Sequence, residues 1–444
     1  MYQKHREAFL SVLQERDAAA IVFSGSLKTR NNDCDHRFRP DSDFVYLTGF
    51  NEPECALVFI PTGDGTAESP RTVLFLRERD PLMETWNGRR VGTEAAPAKF
   101  GVDLALPIDE LWDELPNILV GCETLIAPTG LEEARDRQLL EVLAKLRNKV
   151  RGGVRAPLSL EHPRDTLHEL RLFKDAEEVK LIRKANTITR EAHHAAMALS
   201  ADGRNECELD AEIVCTFMKR GGTGESYNNI VASGNNGTIL HYGENNQPMR
   251  DGQMVLIDAG CEWDYYASDV TRTFPVNGKF SEPQKAIYQL VLNAMQASID
   301  KVRVGKPFNE FHDTATRVLA QGLIDLGIVT GTLDQVLESR SYAKYTIHKT
   351  GHWLGIDVHD QGNYAGDDGP RNFEPGMITT VEPGLYFTED DEEIDAKWRG
   401  IAVRIEDNIL VTPDGNINLS EGIAKTIEDV EAACAGKLAE PASV

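Results

Sequence analysis

A two-part α/β (α+β) protein is the fold class that the sequence predicts. Three observations carry that expectation: a length of 444 residues, short β-rich apolar runs alternating with amphipathic spans, and a Gly- and Pro-rich change of texture at 151–173. At roughly 100–200 residues per domain, the length suits two or three domains. Hydrophobic content of 41% and charged content of 27% sit near globular averages, so a sizeable core is expected and wholesale disorder is not.

Residues 1 to about 170 read as a mixed α/β domain. An amphipathic start from Glu7 to Arg16 leads into AAAIVF (18–23), and β-rich runs follow at CALVFI (55–60) and TVLFL (72–76). PTGDGTAESPR (61–71) between the last two is polar and rich in Pro, Gly and Ser, hence a surface loop. LEEARDRQLLEVLAKLR (131–147) spaces its apolar residues as a helix does. Gly-Gly and two prolines in 151–173 mark the boundary, which divides the chain into domains 1–172 and 173–444. Asp175, followed three residues later by Glu178, has the form of a capping box opening a helix to about Leu199. Further helices are expected near 205–220, 281–302 and 309–327, with strands near 227–233, 254–262, 266–276, 377–387 and 400–411. GKLAEPASV (436–444) reads as a loose tail.

Charge narrows the function. With 47 Lys+Arg against 71 Asp+Glu, the formal net charge is −24 and the sequence pI about 4.9. A nucleic-acid binder needs a basic face, and an anionic membrane surface attracts basic segments, so neither partner is expected. The first residues carry charges throughout with no apolar signal-like region, and no run approaches the ~18 apolar residues of a membrane span. Seven scattered cysteines without a CxxC pair argue against a disulfide framework or a cysteine zinc site. The expectation is a soluble, cytoplasmic protein with reduced thiols.

Two segments concentrate the chemistry. In MVLIDAGCEWDYYASDVTRTF (254–274), Asp258 and Asp269 end apolar runs on either side of a turn. A hairpin with a two-residue loop at Trp263-Asp264 makes partner numbers sum to 527, which sets Asp258 directly opposite Asp269. Their Cβ atoms are then about 5 Å apart on one face. Two like charges so placed need either a cation between them or a proton on one of them.

The second segment holds HKTGHWLGIDVHD (348–360), TTVEPGLYF (379–387) and GIAVRIEDNILV (400–411). His348, His352 and His359 fall close together, but Lys349 stands where a zincin needs Glu, and Gly351 and Gly355 disfavour a regular helix. Glu382 and Glu406 each end a β-like apolar run, an expensive place for a charge unless it is paired or coordinated. Arg404, two residues before Glu406 on the same strand face, is expected to orient that carboxylate. Asp258, Asp269, His352, Glu382 and Glu406 thus supply four carboxylates and one imidazole. Two divalent cations would neutralise the four charges, and water shared by two such ions readily becomes a hydroxide nucleophile. Oxygen-rich ligands favour a hard ion such as Mn²⁺.

Read in order, DAG, SDVTRTF, GHWLG, VEPGLY and RIED resemble the pita-bread metallopeptidases, and among them the aminopeptidase P group rather than the methionine aminopeptidases. ILHYGEN (239–245), DFVYLTGFNEPE (43–54), RLFKDAEE (171–178) and HWLGIDVHD (352–360) extend that resemblance over nearly the whole chain. It implies a creatinase-like N-terminal domain and a C-terminal pita-bread domain with a curved antiparallel sheet. It also implies an enzyme that removes an N-terminal residue when proline follows, by attack of a hydroxide bridging two metals.

By position, the resemblance makes Asp258 a ligand of one metal and Asp269 and Glu406 ligands of both, with His352 and Glu382 completing the set. His241, His348 and His359 would surround the reacting carbonyl: His359 would donate to the developing oxyanion, and His241 and His348 would hold the prolyl end. Glu382 would carry a proton, and Arg404 and Tyr386 would join the substrate site. Trp86, and Asp41 or Asp43, are the candidate contacts in the N-terminal domain, reaching a neighbouring subunit's site, since a dimer or tetramer is implied as well. The 61–71 loop looks longer than in bacterial members.

Two alternatives share features with this reading. A prolidase restricted to Xaa-Pro dipeptides keeps all five ligands, whereas a non-catalytic pita-bread module would be expected to lose some. Creatinase-like enzymes share the fold but not the need for the full ligand set. Other conspicuous residues read as structural. His193-His194 have a core or surface role, GGTGES (221–226) is a turn without a phosphate-loop Lys, and Cys261 points away from Asp258. TEDDEEID (388–395) is a solvated loop.

Overall fold

The computed structural model describes residues 1–437, so most of the expected loose tail lies outside the described residues. The chain divides into two compact units, Met1–Arg171 and Leu172–Val444.

The N-terminal unit is built on strands β1 (Ala18–Phe23), β2 (Ala56–Phe59), β3 (Thr72–Leu76), β4 (Leu104–Pro107), β5 (Thr124–Ile126) and β6 (Ser159–Glu161). They form one mixed sheet in the order β4-β3-β2-β1-β5-β6. Every residue of β1 is buried, because helices cover both faces, and this is why AAAIVF reads as a continuous apolar run without alternation. On one face Leu139, Val142, Leu143 and Leu146 of helix Glu133–Arg147 join Ala19, Ile21 and Phe75 in the core. On the other, Phe9 of helix Tyr2–Glu15 meets Phe59 edge-on at 5.0 Å. Residues 61–71 form the loop between β2 and β3, as expected. Helices Ser42–Thr48, Pro81–Asn87, Gly92–Phe100 and Leu111–Ile118 are not among the expected ones, although Leu111, Leu115 and Ile118 recur at helical spacing in the last.

In the C-terminal unit, helix α1 (Ala176–Leu199) opens on the anticipated capping box, with Asp175 and Glu178 each accepting from the other's backbone N–H. Helices α2 (Glu206–Lys219), α3 (Glu282–Ile299) and α4 (Glu310–Asp325) follow close to their expected spans. Their apolar faces and the inner faces of the strands share one large core, including Ile188, Phe217, Val255, Tyr288, Leu319, Trp353 and Val403.

Besides a small hairpin of Ala365–Gly366 and Gly369–Pro370, the strands of this unit are β7 (Gly224–Glu225), β8 (Ile230–Ser233), β9 (Met254–Asp258), β10 (Cys261–Trp263), β11 (Tyr266–Ala267), β12 (Thr271–Pro275), β13 (Ile378–Val381), β14 (Gly384–Tyr386), β15 (Ala402–Arg404), β16 (Asp407–Thr412) and β17 (Gly415–Asn418). They are short and antiparallel: β8-β9-β12, β11-β10-β7, β13-β16-β17 and β14-β15. Glu406 N–H donates to Thr271 O (3.1 Å), and Arg404 N–H to Thr273 Oγ1 (3.2 Å), which joins β12 to the β15–β16 corner.

Two sequence expectations need correction here. The hairpin loop is Asp264-Tyr265, not Trp263-Asp264: Trp263 pairs with Tyr266, and both loop residues have positive φ (48° and 70°), the primed-turn conformation that matches strand twist. The acidic stretch 388–395 is not wholly solvated, since Asp391 is buried and accepts from Lys344 Nζ at 2.9 Å.

Candidate metal centre

The shifted loop changes the register. Asp258 pairs with Thr271, and the same register continues through Ala259 N–H to Val270 O (3.1 Å) and Ser268 N–H to Cys261 O (3.1 Å). Asp269 therefore stands across from Gly260, one diagonal step from Asp258 and on the same face. A Cβ on residue 260 would lie 1.8 Å from Ser268 O, so only glycine permits this approach. Cys261 points into the core, as expected.

Between the two aspartates sits Tyr227, a residue without any sequence signal, its hydroxyl 2.6 Å from Oδ1 of each. Burial, Asp258 and Asp269 raise its pKa well above 10, so the phenol stays protonated. It has one hydrogen to give. The second short contact is therefore comfortable only when that carboxylate is protonated or its charge is taken up by a cation. Asn408 holds the Asp269 backbone from behind, accepting from its N–H and donating to its carbonyl.

His352 is pinned to β13. Its N–H donates to Thr380 Oγ1 (3.1 Å), and its carbonyl accepts from Thr380 N–H (2.9 Å) and Thr379 Oγ1 (2.9 Å). Gly351 permits this, for a Cβ there would be 2.1 Å from Thr380 O. Because β13 ends at Val381, the same strand delivers Glu382 to His352: Nε2 lies 3.7 Å from Glu382 Oε1 and 3.3 Å from Asp269 Oδ2. Glu406 enters from the β15–β16 corner, and Thr271 Oγ1 donates to its Oε2 at 2.7 Å. One ligand atom from each of Asp269, His352 and Glu406 lies within 4.8 Å of the other two.

Arg404 does not reach Glu406 directly, contrary to expectation. Its guanidinium donates to Asp258 Oδ2 (2.6 Å), Thr271 Oγ1 (3.1 Å) and Tyr386 OH (3.1 Å). It acts on Glu406 through the Thr271 hydroxyl and, across space, through its charge.

The centre carries too much negative charge for its burial. Burial first, then the neighbouring carboxylates, raise Glu406 well above the carboxylate range, and burial raises Glu382 to about 7 and lifts Asp258 as well. Burial pushes Asp269 the same way, but the hydrogen bond and charge of His352 outweigh it and hold the group low. Burial opposes the charge on His352, yet Asp269 and Glu382 raise it to about 9. One guanidinium and one imidazolium cannot offset four carboxylates, so the site takes up protons where cations would serve. That chemistry, an all-oxygen set with one imidazole, fits two hard divalent ions.

Three further histidines surround the cluster. His348 Nδ1 faces Lys349 O at 2.8 Å and so carries the proton, which leaves Nε2 to accept from Tyr386 OH at 2.7 Å. Burial and Arg404 lower its pKa to about 4, so it is neutral. The His359 ring stands edge-on to His352 at 4.1 Å, and burial and His352 hold it below the ordinary value. His241 lies exposed in the loop after a 3₁₀ turn (Gly234–Thr238), within electrostatic reach of both His348 and His359.

The N-terminal candidates separate. Trp86 is 79% exposed on helix Pro81–Asn87 of its unit. Asp41 caps Ser42–Thr48 by accepting from Asp43 and Phe44 N–H. Asp43 is buried between His168 Nε2 (2.9 Å) and Arg171 (2.7 Å), and so is committed inside its own unit instead of facing a substrate. His193 and His194 are structural: His193 Nε2 meets Ala259 O at 3.1 Å, and His194 Nε2 accepts from Ala424 N–H at 3.1 Å.

A buried carboxylate–imidazole centre held on short antiparallel strands defines a metal-dependent hydrolase. Residues 180–413 match the model of metallopeptidase family M24, and residues 2–126 match that of the aminopeptidase P N-terminal domain. The chain belongs to metallopeptidase family M24 and has its pita-bread fold. It is 43% identical to the Xaa-Pro aminopeptidase of Escherichia coli over 431 residues, covering 97% of this chain and 96% of that protein. It is 34% identical to human Xaa-Pro aminopeptidase 3 over 451 residues, covering 98% of this chain and 85% of that protein. Among solved structures, aminopeptidase PepP of Pseudomonas aeruginosa superposes with a TM-score of 0.94 at 42% identity, over 98% of both chains. A zinc-substituted E. coli aminopeptidase P in complex with product gives 0.93 at 42% identity, over 99% of this chain and 98% of that one.

Proposed function

We propose that the protein is an aminopeptidase that releases the N-terminal residue from peptides with proline in second position. The observation that carries this reading is the undamaged set of Asp258, Asp269, His352, Glu382 and Glu406, ringed by His241, His348 and His359, in a chain resembling Xaa-Pro aminopeptidases end to end. A non-catalytic module would have no reason to keep it, so that alternative is disfavoured.

Asp258, Asp269, His352, Glu382 and Glu406 would hold two divalent ions, and Mn²⁺ suits this donor set best. When bound, such ions supply a hydroxide nucleophile at neutral pH and polarise the scissile carbonyl. The chain's own groups do the rest. Glu382, beside His352 in the cluster, is suited to carry a proton from the attacking water to the departing prolyl nitrogen. His359, kept neutral by its surroundings, donates to the carbonyl oxygen as charge develops there. His348 is fixed between Lys349 O and Tyr386 OH, and with His241 it lines the prolyl side. Arg404 and Tyr386 connect that histidine to Asp258 in one hydrogen-bonded chain. Proline offers no N–H, so its recognition rests on ring shape rather than donor capture.

The further parts of the reading are domains 1–172 and 173–444, a dimer or tetramer in which Trp86 serves a neighbouring site, and a cytoplasmic setting. No helix among the described residues is long and apolar enough to cross a membrane, and the acidic charge gives no support to a nucleic-acid partner. The test is to assay chelated and Mn²⁺-reconstituted protein on an Xaa-Pro dipeptide, an Xaa-Pro-Xaa tripeptide and a longer Xaa-Pro peptide. Metal-dependent cleavage of the longer substrates is expected. Cleavage of the dipeptide alone would make it a prolidase, and silence on all three with metal bound would refute the proposal.

A further inference from the structure

Helix α2 begins with a carboxylate that the proposed mechanism leaves unused. Glu206 is 0% exposed. Its Oε1 accepts from Ser233 N–H (2.7 Å), Ser233 Oγ (2.7 Å) and Asn236 Nδ2 (3.1 Å). Its Oε2 accepts from Tyr242 OH (2.9 Å) and Gln247 N–H (3.0 Å). A buried carboxylate is tolerated only when its lone pairs are satisfied, and here five donors do so.

Those donors share one property: they bracket His241. Ser233 ends β8, Asn236 lies in the 3₁₀ turn, Tyr242 adjoins His241, and Gln247 closes the loop. One turn along α2, Asp210 accepts from Asn229 (2.9 Å) and Asn245 (3.2 Å), and Asn245 Oδ1 in turn accepts from Val231 N–H (2.9 Å). Asn245 takes a positive φ of 44° to do this. The Tyr242 ring packs in a small apolar cluster with Ile230, Leu256, Ala402 and Tyr386, the last being the partner of His348. The irregular stretch 234–247 thus has its shape set from one side by a single helix face.

We infer that Glu206 is a positioning residue that holds His241 at the substrate through Tyr242. The inference rests on His241 contacting the prolyl end of the substrate, as proposed above, and deepens that reading. It predicts that binding, rather than turnover or metal retention, suffers when the tether is cut. Tyr242→Phe removes one hydrogen bond to a charged group while keeping the ring in its cluster.

The experiment compares Tyr242→Phe, Glu206→Gln, His241→Ala and the double variant Tyr242→Phe/His241→Ala with wild type. It measures kcat and KM on an Xaa-Pro-Xaa tripeptide, metal content, and amide hydrogen exchange. Tyr242→Phe is expected to raise KM about tenfold, in line with loss of a hydrogen bond to a charged group, with kcat within about twofold and metal content unchanged. Glu206→Gln is expected to do more. In both, exchange should speed up within 234–247 and stay as in wild type over 254–274. The double variant should match His241→Ala alone, because the tyrosine acts through the histidine. Multiplying effects in the double variant, or unaltered exchange over 234–247, would overturn the inference. Should the wild-type protein leave Xaa-Pro peptides uncut, the functional reading falls, while the exchange arm still decides whether Glu206 holds the loop.

Discussion

Tyr227→Phe is the sharpest perturbation of the centre, since it deletes one oxygen and leaves the ring. That oxygen lies 2.6 Å from Asp258 Oδ1 and 2.6 Å from Asp269 Oδ1. Both distances are in the short range of hydroxyl–carboxylate bonds. With one hydrogen, the phenol makes one full charge-assisted bond, worth about 1.5–3 kcal/mol. Its loss frees the two carboxylates to turn away from each other and from any ion they share. At about 1.4 kcal/mol per decade, the metal-loaded centre should weaken about 10–100-fold, the usual cost of removing a group that orients a ligand.

The assay is a chelator-competition titration with Mn²⁺ on the apoprotein, followed by metal content after dialysis. Far-UV circular dichroism and a urea midpoint show that the fold persists. Wild-type and Tyr227→Phe proteins binding Mn²⁺ with affinities within twofold of each other would refute the idea that this hydroxyl organises the site. The phenol would then be a bystander filling the space between two aspartates.

Other perturbations follow from the same physics. Asp269→Ala or Glu406→Ala removes a carboxylate from the centre of the cluster, and both hydrolysis and retained metal should vanish; a metal-replete, active Asp269→Ala protein would end the dinuclear reading. Arg272 is fully buried and donates to Thr271 O, Glu406 O, Ala424 O, Ile423 O and Asp407 Oδ1, so Arg272→Met strips Asp407 Oδ1 of its guanidinium and leaves only Lys425 and Asn418, both on Oδ2. That change should cost roughly 3–5 kcal/mol in a urea titration. The Asp43 carboxyl is opposed by burial, but Arg171 and His168 bring it down to about 2 from 3.8. Its contribution of roughly 2 kcal/mol is therefore present above the unfolded pKa and lost as pH falls through 2, and Asp43→Asn should flatten that limb of the stability–pH curve. His193, lowered to about 3 by burial and Arg272, binds a proton more readily when unfolded. Stability should accordingly be full above about pH 6.5 and fall on acidification toward pH 3, a slope that a neutral replacement at 193 reduces.

Much of the centre could be read from the chain because its ligands break a local rule. Asp258, Glu382 and Glu406 sit where apolar strands should end in something neutral, and that misfit is visible without coordinates. Partners set by tertiary register were not visible. The loop Asp264-Tyr265 puts positive φ on two residues, one of them aromatic, whereas hairpin rules favour Gly or Asn there. Arg404 was assigned to Glu406 by strand alternation, but Asp258 on a neighbouring strand lies closer to its guanidinium. Tyr227 and Thr271 are neutral, so nothing in charge or spacing marks them, though two threonines in the buried strand β12 are a polar excess that could have drawn notice. Asp43 was a candidate by family resemblance alone; His168 and Arg171, more than 120 residues away, occupy it.

The register correction also bears on how many ions the centre can serve. Carboxylates directly opposed across a ladder have Cβ atoms about 5 Å apart and converge on a single point between them. A diagonal pair is spaced about 7–8 Å apart along the sheet, which would leave Asp258 free to serve an ion that the other ligands do not all share. In that arrangement Asp269, with His352 at 3.3 Å and Glu406 in the same cluster, occupies the middle. Asp258 stands at one end, held by Arg404, and Glu382 stands beside His352 at the other. The middle carboxylates are those a bridging role requires, and the end ones those that would serve a single ion. The two-residue shift in pairing thus supports the dinuclear reading more strongly than the symmetric hairpin would have done, and it opens the gap that Tyr227 fills.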